Sequence, residues 1–187
     1  FAERGIDAYQ CLATADLGVD AVQIFRLDND GALHLESMAL LAEGAGPRHL
    51  AFSPDARVLY VVNELNATVT ALAYDPETGE LEGEIQTIAM VPDDFTDARS
   101  AAEIAMHPSG RFLYASNRGH DSIAAFAVDG ETGALRVIGH TPAGGRTPRH
   151  LPWIPAATGS YARTRTPTPS PSSASTARRG GSRPPTA

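Results

Sequence analysis

The sequence contains no lysine, so all 15 of its basic residues are arginines. It has a single cysteine, Cys11, which excludes an internal disulfide and fits a reducing compartment. It contains no apolar run long enough to cross a membrane, and we expect no signal peptide. We therefore expect a cytoplasmic protein that is not inserted in a membrane.

Acidic residues are absent after Leu151, although the chain has 22 of them. The part before Leu151 is therefore acidic, and the formal net charge of the whole chain is −7. Nucleic-acid binding normally requires a basic surface that neutralises phosphates. The acidic body of this chain offers no such surface, so we expect no nucleic-acid partner.

Two stretches of the chain are copies of one another. HLAFSPDARVLYVVNELNATVTALAYDPETGEL (49–81) aligns without a gap with EIAMHPSGRFLYASNRGHDSIAAFAVDGETGAL (103–135). The identical pairs, each 54 residues apart, include Pro54 and Pro108, Leu59 and Leu113, Tyr60 and Tyr114, Asn63 and Asn117, Thr78 and Thr132, and Gly79 and Gly133. A third copy lies 47 residues before the first of these, where Asp16, Val22 and Asp28 match Asn63, Val69 and Asp75. A repeat of this length determines the fold class, so it is interpreted before any single motif.

Each copy has the local pattern of β-structure. LAFSP and IAMHP are short apolar strands that end at a proline turn, and VLYVVN and FLYASN follow them. TVTALAYD and SIAAFAVD come next, and these strands show the alternation of half-buried strands. PETGE and GETGA predict hairpin turns in which glycine supplies a positive φ, and a fourth strand such as LEGEIQTIAM comes after them.

Four antiparallel strands in about fifty residues are typical of one blade of a β-propeller. A β-sandwich has strands at similar spacing but no gapless repeat. We therefore predict an all-β chain that forms an incomplete β-propeller, with about two to three four-stranded blades of an expected seven. The predicted organisation is an N-terminal remnant at 1–11, a partial propeller at 12–150 with blades at about 12–45, 46–99 and 100–145, and a Pro/Ser/Thr/Arg-rich disordered tail at 151–187.

Four short stretches carry a family resemblance: NELNATV, AAEI, SNRGHDSI and GGRTPRH. Together they resemble the seven-bladed lactonase family of propeller-type 6-phosphogluconolactonases, over roughly residues 12–150. Fungal carboxymuconate-lactonising enzymes are similar propellers. The resemblance implies hydrolysis of a small-molecule sugar lactone, 6-phosphogluconolactone to 6-phosphogluconate in the pentose phosphate pathway, with no cofactor.

The letters PRHL occur twice, and only the first copy leads into a predicted strand. After His150 the repeat requires another innermost strand, but PWIPAATGSYARTRTPTPS is too rich in proline to supply it. One interpretation is a natural disordered tail. The interpretation that we favour is a shift of reading frame, because a displaced frame can encode VDPGGDWLLRANQDSDTV, which resembles the other copies. The chain would then be a fragment of a longer propeller.

The repeat predicts that charged side chains gather on one face. Arg48 and His49 begin a first strand, and Asn63 and Glu64 end the second strand, so both strand ends reach the same face near the central channel. Arg118 occupies the position of Glu64 in the next blade.

The same face is expected to collect further residues. Glu103 occupies the position of His49 in the next blade, and Arg149 and His150 repeat Arg48 and His49 two blades on. A histidine or glutamate can act as a general base on water, and arginine can bind a phosphate or carboxylate and stabilise an oxyanion. No cluster has the spacing of metal ligands, so we predict no metal.

The family resemblance implies specific roles at these positions. The family's functional arginines and glutamate fall on Arg48, Glu64 and Arg118, which we take as catalytic candidates. We assign substrate binding to His49, Glu103 and Arg149. A further family histidine would lie one blade earlier, where this chain has FAERGIDAYQC and no histidine, which argues against activity of the isolated fragment.

Purely structural roles are alternatives for each candidate. Arg48 and His49 could hydrogen-bond the connection between blades, Glu64 could be an exposed loop acid, and Arg118 could pair with Asp121.

Several other polar residues are more simply explained as structural. We expect His120 and Asp121 to fix their loop through side-chain to backbone bonds. Asn63 and Asn117 are expected to be turn residues, and Cys11 a small buried hydrophobic residue.

The leading functional hypothesis is therefore a carboxylic-ester hydrolase that opens a sugar lactone. A non-catalytic propeller that acts as a binding or surface module is the competing class. A lactonising activity on muconates is a third possibility, which a panel of substrates would decide. The oligomeric state is left open.

Overall fold

A computed structural model describes residues 10–152, which form three antiparallel sheets. Sheet 1 contains β1 (Gln10–Asp16), β2 (Ala21–Leu27) and β3 (Leu33–Leu40). Sheet 2 contains β4 (Pro47–Phe52), β5 (Val58–Asn63), β6 (Thr68–Asp75) and β7 (Glu80–Ala89). Sheet 3 contains β8 (Ser100–Met106), β9 (Phe112–Arg118), β10 (Ser122–Val128) and β11 (Leu135–Pro142). The predicted tail falls almost wholly outside the described residues, which include only its first two positions.

The sheets pack face to face in the order of the chain. β4, the first strand of sheet 2, contacts β1 of sheet 1 and β8 of sheet 3, while β3 contacts β7. Within sheets 2 and 3 each strand pairs with the strand that precedes it in sequence. The predicted all-β, partial-propeller architecture is therefore confirmed. In sheet 1 the first strand β1 corresponds to β5, and it begins at Gln10, two residues before the predicted blade boundary.

Two apolar layers join the three sheets. Between sheets 1 and 2 the buried residues are Val22, Ile24, Leu59, Val61, Leu72 and Tyr74. Between sheets 2 and 3 the larger buried residues are Tyr60, Val62, Val69, Met90, Leu113 and Phe126. Full burial of one such side chain contributes about 1.5–3 kcal/mol, so these layers supply most of the stability.

Strand β5 is covered on both of its faces. All six of its residues are buried, because its two faces pack into different layers. Leu59 and Val61 face sheet 1, whereas Tyr60 and Val62 face sheet 3. A strand in an inner blade is covered on both sides, so its sequence is continuously apolar rather than alternating.

The hairpin turns follow the repeat closely. In the turn after β6 the amide of Gly79 donates to the carbonyl of Asp75 at 2.8 Å, and in the turn after β10 Gly133 donates to Asp129 at 2.9 Å. Gly79 and Gly133 have φ values of 80° and 74°, as predicted from the sequence. The aspartate side chain accepts further backbone amides in both turns.

The two matching asparagines, predicted to be turn residues, are instead buried residues of β5 and β9. Asn63 Nδ2 donates to the hydroxyls of Thr68 and Thr70, and Asn117 Nδ2 donates to the carbonyl of Met90 at 2.7 Å. Both side-chain oxygens are buried and have no hydrogen-bond partner. A short buried amide at this position therefore holds the strand end to its neighbours.

The outer face of sheet 1 is apolar and exposed. Its exposed side chains include Leu12, Leu33, Leu35, Met38 and Leu40, with relative exposures between 48% and 71%. Leu12 is the repeat counterpart of Leu59, which is fully buried against sheet 1. Cys11 is also exposed, so the prediction that it is buried is wrong. The described residues contain no helix that is long and apolar enough to span a membrane.

Candidate functional site

Glu64 binds two arginines from two different sheets. Nε of Arg48, in β4, lies 2.8 Å from Oε2 of Glu64, and Nη2 of Arg118, at the end of β9, lies 2.7 Å from Oε1. The three side chains are between 11% and 24% exposed, so these ion pairs are partly shielded from water. The structure thus brings all three predicted catalytic candidates together, and Arg118 pairs with Glu64 rather than with Asp121.

Backbone bonds fix this Arg–Glu–Arg group. The amide of Glu64 donates to the carbonyl of Gly46 at 2.7 Å, and its carbonyl accepts from the amide of Ala101 at 3.0 Å. Nη1 of Arg48 donates to the carbonyl of Ala102 at 2.6 Å, and Nε and Nη2 of Arg118 donate to that of Ala101. Arg48 thus bonds a strand of the neighbouring sheet, β8, in addition to its ion pair, rather than the connection between the blades.

Two β-bulges orient the side chains of this face. The register of β4 with β5 shifts between Pro47 and His49, so Arg48 has no partner opposite it. The register of β8 with β9 shifts at the corresponding place, between Ala101 and Ile104. A bulge turns side chains away from the regular alternation of a strand. The residues left without a cross-strand partner are Arg48 in β4 and Ala102 and Glu103 in β8.

Glu103 binds two histidines. Its Oε1 lies 2.6 Å from Nδ1 of His49, and its Oε2 lies 2.7 Å from Nδ1 of His150. The Glu103 side chain is only 12% exposed, whereas His49 is 41% and His150 is 72% exposed. A nearly buried carboxylate thus holds two imidazoles whose outer edges face solvent.

The pKa of the Glu103 carboxyl lies below its ordinary value. Burial alone would raise this pKa, but hydrogen bonds from His150, His49 and the amide of Ile104 stabilise the ionised form and together outweigh burial. Glu103 is therefore a charged carboxylate at neutral pH.

The two groups meet at Arg48 and His49, which are adjacent in sequence. Nη1 of Arg48 lies 3.2 Å from Nδ1 and 3.1 Å from Nε2 of His49. Nearly equal distances to both ring nitrogens place the guanidinium against the face of the imidazole, not in line with either lone pair. The rim, defined here as Arg48, His49, Glu64, Glu103, Arg118 and His150, is therefore one continuous polar cluster.

Aspartates at matching positions hold the segments that lead into the rim. The carboxylate of Asp20 accepts the amides of Gly44 and Gly46, just before Arg48. The carboxylate of Asp121 accepts the amide of Thr147 at 2.9 Å, shortly before His150. Both aspartates have a positive φ of 51°. The backbone bonds to Gly46 and Gly44 lower the pKa of Asp20.

The predicted loop-fixing role thus holds for Asp121 but not for its neighbour. His120 bonds the hydroxyl of Ser122 at 2.6 Å and packs against the rings of Phe95 and His140. It binds a side chain rather than the backbone, and it lies outside the rim.

Arg149 is the one predicted site residue that the structure does not bring to the others. It is exposed, and no ion pair or hydrogen bond joins it to a described residue. Its neighbour His150 occupies the place at Glu103 instead. The sequence did contain a signal for this arrangement, because His150 repeats His49, but it did not show which of the two adjacent residues points inward.

No other group in the described chain competes as a centre of chemistry. Within residues 10–152 no three His, Cys, Asp or Glu side chains converge in a way that could hold a metal ion. A groove of about 770 Å³ lies between sheets 2 and 3 and is lined mainly by hairpin residues such as Pro54, Asp55, Gly110 and Glu131. Those residues belong to the turns between strands, away from the rim.

Comparisons with known proteins agree with this geometry. The sequence model described as "Lactonase, 7-bladed beta-propeller" matches residues 6–161. A 6-phosphogluconolactonase of Bacillus subtilis is 41% identical over 144 residues, which are 77% of this chain and 41% of that protein. A 6-phosphogluconolactonase of Pectobacterium carotovorum is 40% identical over 125 residues, which are 66% of this chain and 37% of that protein.

Solved structures show the same similarity. The periplasmic gluconolactonase of Pseudomonas aeruginosa superposes with a TM-score of 0.72 at 33% identity, covering 78% of this chain and 41% of that one. A protein from Lactobacillus plantarum gives a TM-score of 0.71 at 36% identity, covering 75% of this chain and 40% of that one. The chain thus spans about two fifths of the length of these relatives.

Proposed function

This chain belongs to the lactonase family of seven-bladed β-propellers, and on that basis we propose that the protein hydrolyses a sugar lactone. The substrate that we propose is 6-phosphogluconolactone, which yields 6-phosphogluconate. The reaction adds water to the lactone carbonyl and breaks the ring C–O bond, so it requires stabilisation of an oxyanion and a base for the water.

The main support for this proposal is that Arg48 and Arg118 each keep N–H groups that are not used in hydrogen bonds to the described residues. Arg48 uses Nε and Nη1 for Glu64 and Ala102, and Arg118 uses Nε and Nη2 for Ala101 and Glu64. Nη2 of Arg48 and Nη1 of Arg118 make no hydrogen bond to a described residue. Two oriented N–H donor groups at one rim suit the negative oxygen of a tetrahedral intermediate, or the phosphate of the substrate.

Glu64 acts in this proposal by orienting the arginines. Each of its oxygens already forms an ion pair with a guanidinium, so we give Glu64 no role as the base. Its charge also keeps the two like-charged guanidiniums close together, which would otherwise be unfavourable. Substitution of Glu64 should therefore disorder both arginines at once.

The remaining rim residues bind the substrate. His49 lies beside Arg48, where its half-exposed imidazole can contact the lactone, and Glu103 contributes to binding by holding that imidazole in place. Arg149 stays a prediction as a further contact for the phosphate. We also propose a cytoplasmic location, which cell fractionation would test; one of the similar structures is described as periplasmic.

The test is turnover of 6-phosphogluconolactone and of unphosphorylated gluconolactone by the wild-type chain and by Arg118→Gln, Glu64→Gln and Arg26→Gln. Loss of one oxyanion donor lowers kcat by about 10²–10³-fold, so we expect that loss for R118Q and E64Q. Arg26 forms a more exposed ion pair with Glu36 far from the rim, and R26Q should keep wild-type turnover. Absence of wild-type turnover would favour a non-catalytic binding module, whereas wild-type rates in R118Q would overturn the role given to Arg118. Turnover of muconolactones alone would point to a lactonising enzyme.

A further inference from the structure

We propose that His49 is the general base that activates water, and that Glu103 and His150 position it; this proposal rests on the lactonase function proposed above. The rim contains only two kinds of side chain that could accept a proton at neutral pH, carboxylates and imidazoles. Both oxygens of Glu64 are bound by arginines, and both oxygens of Glu103 are bound by histidines. Both carboxylates are thus already engaged in ion pairs, whereas each imidazole uses only Nδ1 for Glu103 and keeps a second ring nitrogen.

The bond to Glu103 fixes the tautomer of His49. Glu103 is ionised and can only accept hydrogen bonds, so the nitrogen at 2.6 Å, Nδ1, must carry the proton. In the neutral ring the lone pair then lies on Nε2, on the side away from Glu103. The same carboxylate stabilises the positive charge that forms when Nε2 takes a proton.

Arg48 places this lone pair beside the oxyanion site. Its guanidinium packs against the face of the His49 ring, so the in-plane lone pair of Nε2 is left open. The same guanidinium presents its unused Nη2 to a bound carbonyl. A lactone held by Arg48 and Arg118 would thus have its carbonyl carbon close to the water that His49 contacts.

Glu103 is itself held on several sides. Its second oxygen accepts from Nδ1 of His150 at 2.7 Å, and its backbone amide donates to the hydroxyl of Ser116 at 2.9 Å. The amide of Ile104 also donates to Oε1, at 3.1 Å. A carboxylate with these bonds cannot rotate away from His49. His150 therefore acts through Glu103, as a positioning residue.

The proposed step balances without any further reagent. Nε2 of His49 removes one proton from water as the oxygen bonds to the carbonyl carbon, and the arginines bind the resulting oxyanion. When the ring C–O bond breaks, the imidazolium returns the proton to the leaving ring oxygen. The products are the free hydroxyl and the carboxylic acid, which ionises in water, and His49 is neutral again.

The first test is the tautomer of each histidine, measured by nitrogen NMR of the imidazole rings in the wild-type chain. We expect the proton on Nδ1 in His49 and His150. His34 is an internal control, because it bonds Asp28 through Nε2 and should carry its proton on that nitrogen. A proton on Nε2 of His49 at neutral pH would overturn the proposal, whether or not the chain turns over a lactone.

The second test separates catalysis from structure by kinetics. His49→Asn keeps a hydrogen-bond donor near the position of Nδ1, so the variant should fold normally. Because it lacks a basic ring nitrogen, its kcat should fall by about 10²-fold or more. His49→Ala should recover part of its kcat when imidazole is added. Glu103→Gln should lower kcat with a much smaller change in KM, Glu103→Asp should restore part of it, and His34→Gln should leave turnover unchanged.

The outcomes distinguish this proposal from the proposed function. If R118Q loses turnover but H49N keeps it and imidazole rescues nothing in H49A, the lactonase assignment stands and His49 is not the base. If no wild-type turnover is found with any lactone, the proposed function fails for this chain. The NMR measurement then decides whether the Glu103–His49 pair has the geometry of a base, with a proton on Nδ1 supporting it.

Discussion

Glu64 and Arg118 occupy the same position in successive copies of the repeat, and their side chains meet at 2.7 Å. One copy supplies a carboxylate and the next supplies a guanidinium. The same backbone position in two neighbouring sheets therefore gives an ion pair between them. Arg48 binds the other oxygen of the same carboxylate. Repeats that carry different residues at their rim positions can thus build a site that no single blade contains.

The coupling between Glu64 and Arg118 should be measurable in a double-mutant cycle. Removing one partner leaves a partly buried charge unpaired, so E64Q and R118Q should each destabilise the chain, and the double variant should cost less than their sum. For groups in direct contact we expect a coupling free energy of roughly 1–3 kcal/mol, determined from urea unfolding.

The matched control for this cycle is the pair Arg26 and Glu36 in sheet 1. Its atoms are 3.0 Å apart, but its side chains are 41% and 33% exposed. Exposed ion pairs contribute about 0–1 kcal/mol, so its coupling should be smaller than that at the rim. Equal coupling in both pairs would show that the rim gives no extra shielding.

Because the pKa of Glu103 is lowered in the folded state, the free energy of unfolding should fall in acid. A carboxyl group whose pKa is lower in the folded state contributes stability above its unfolded pKa, near 4.5, and loses that contribution as the pH falls through its folded pKa. E103Q should therefore reduce the loss of unfolding free energy between about pH 6 and pH 3. Urea unfolding at several pH values measures this, with Glu77→Gln, at an exposed turn, as a control for net charge.

Gly46 should tolerate alanine less well than Gly44. Both have a positive φ, of 63° and 75°, and the left-handed conformation costs a non-glycine residue about 1–2 kcal/mol. A Cβ on Gly46 would also lie 2.5 Å from Cγ of Leu65, whereas a Cβ on Gly44 would meet nothing within 4 Å. We expect G46A to lose more unfolding free energy than G44A.

The same pair of glycines tests whether the loop positions the rim. Gly46 precedes Pro47 and accepts the amide of Glu64, so a shift at Gly46 should also weaken the ion pairs of Glu64. In thermal unfolding, the double variant G46A/L65A should recover part of the stability lost in G46A. Identical melting temperatures for G46A and G44A would contradict the role given to Leu65.

Asn117 should not tolerate aspartate, although the two side chains have the same shape. Its Nδ2 donates to the buried carbonyl of Met90, and a carboxylate oxygen in that place would repel the carbonyl. We expect N117D to lose roughly 1–3 kcal/mol of unfolding free energy. Asn66→Asp is the control, because Asn66 accepts a hydrogen bond from Thr68, and an aspartate can still accept it. Equal losses would mean that charge alone, and not the donor, is decisive.

The gapless repeat made most of the fold predictable, because it aligned turns and strands of one copy with those of the next. It also placed Arg48, Glu64 and Arg118 at one rim, since two strands and a hairpin return the chain to the same face. The effects of packing between sheets were not predictable in this way. Burial of both faces of β5 depends on neighbours on two sides, and a single strand does not show how many neighbours it has.

The direction of individual side chains could not be predicted from the sequence either. The bulges next to Arg48 and Glu103 shift the alternation of inward and outward residues, and the sequence alone does not reveal them. The repeat predicts Arg149 as the counterpart of Arg48, whereas in the structure its neighbour His150 contacts Glu103. Because Asn is common in turns, the sequence favours a turn position for Asn63 and Asn117. In the structure both are buried at strand ends.

The exposed apolar outer face of sheet 1 has a consequence for assembly. Leu12 and Phe25 stand where Leu59 and Leu72 stand in sheet 2, and those leucines are covered by the sheet before them. That surface therefore has the residue pattern of an acceptor for one more blade. The array can be extended there by the same rule that stacks its three sheets, with each added blade bringing a new pair of rim positions into the ring.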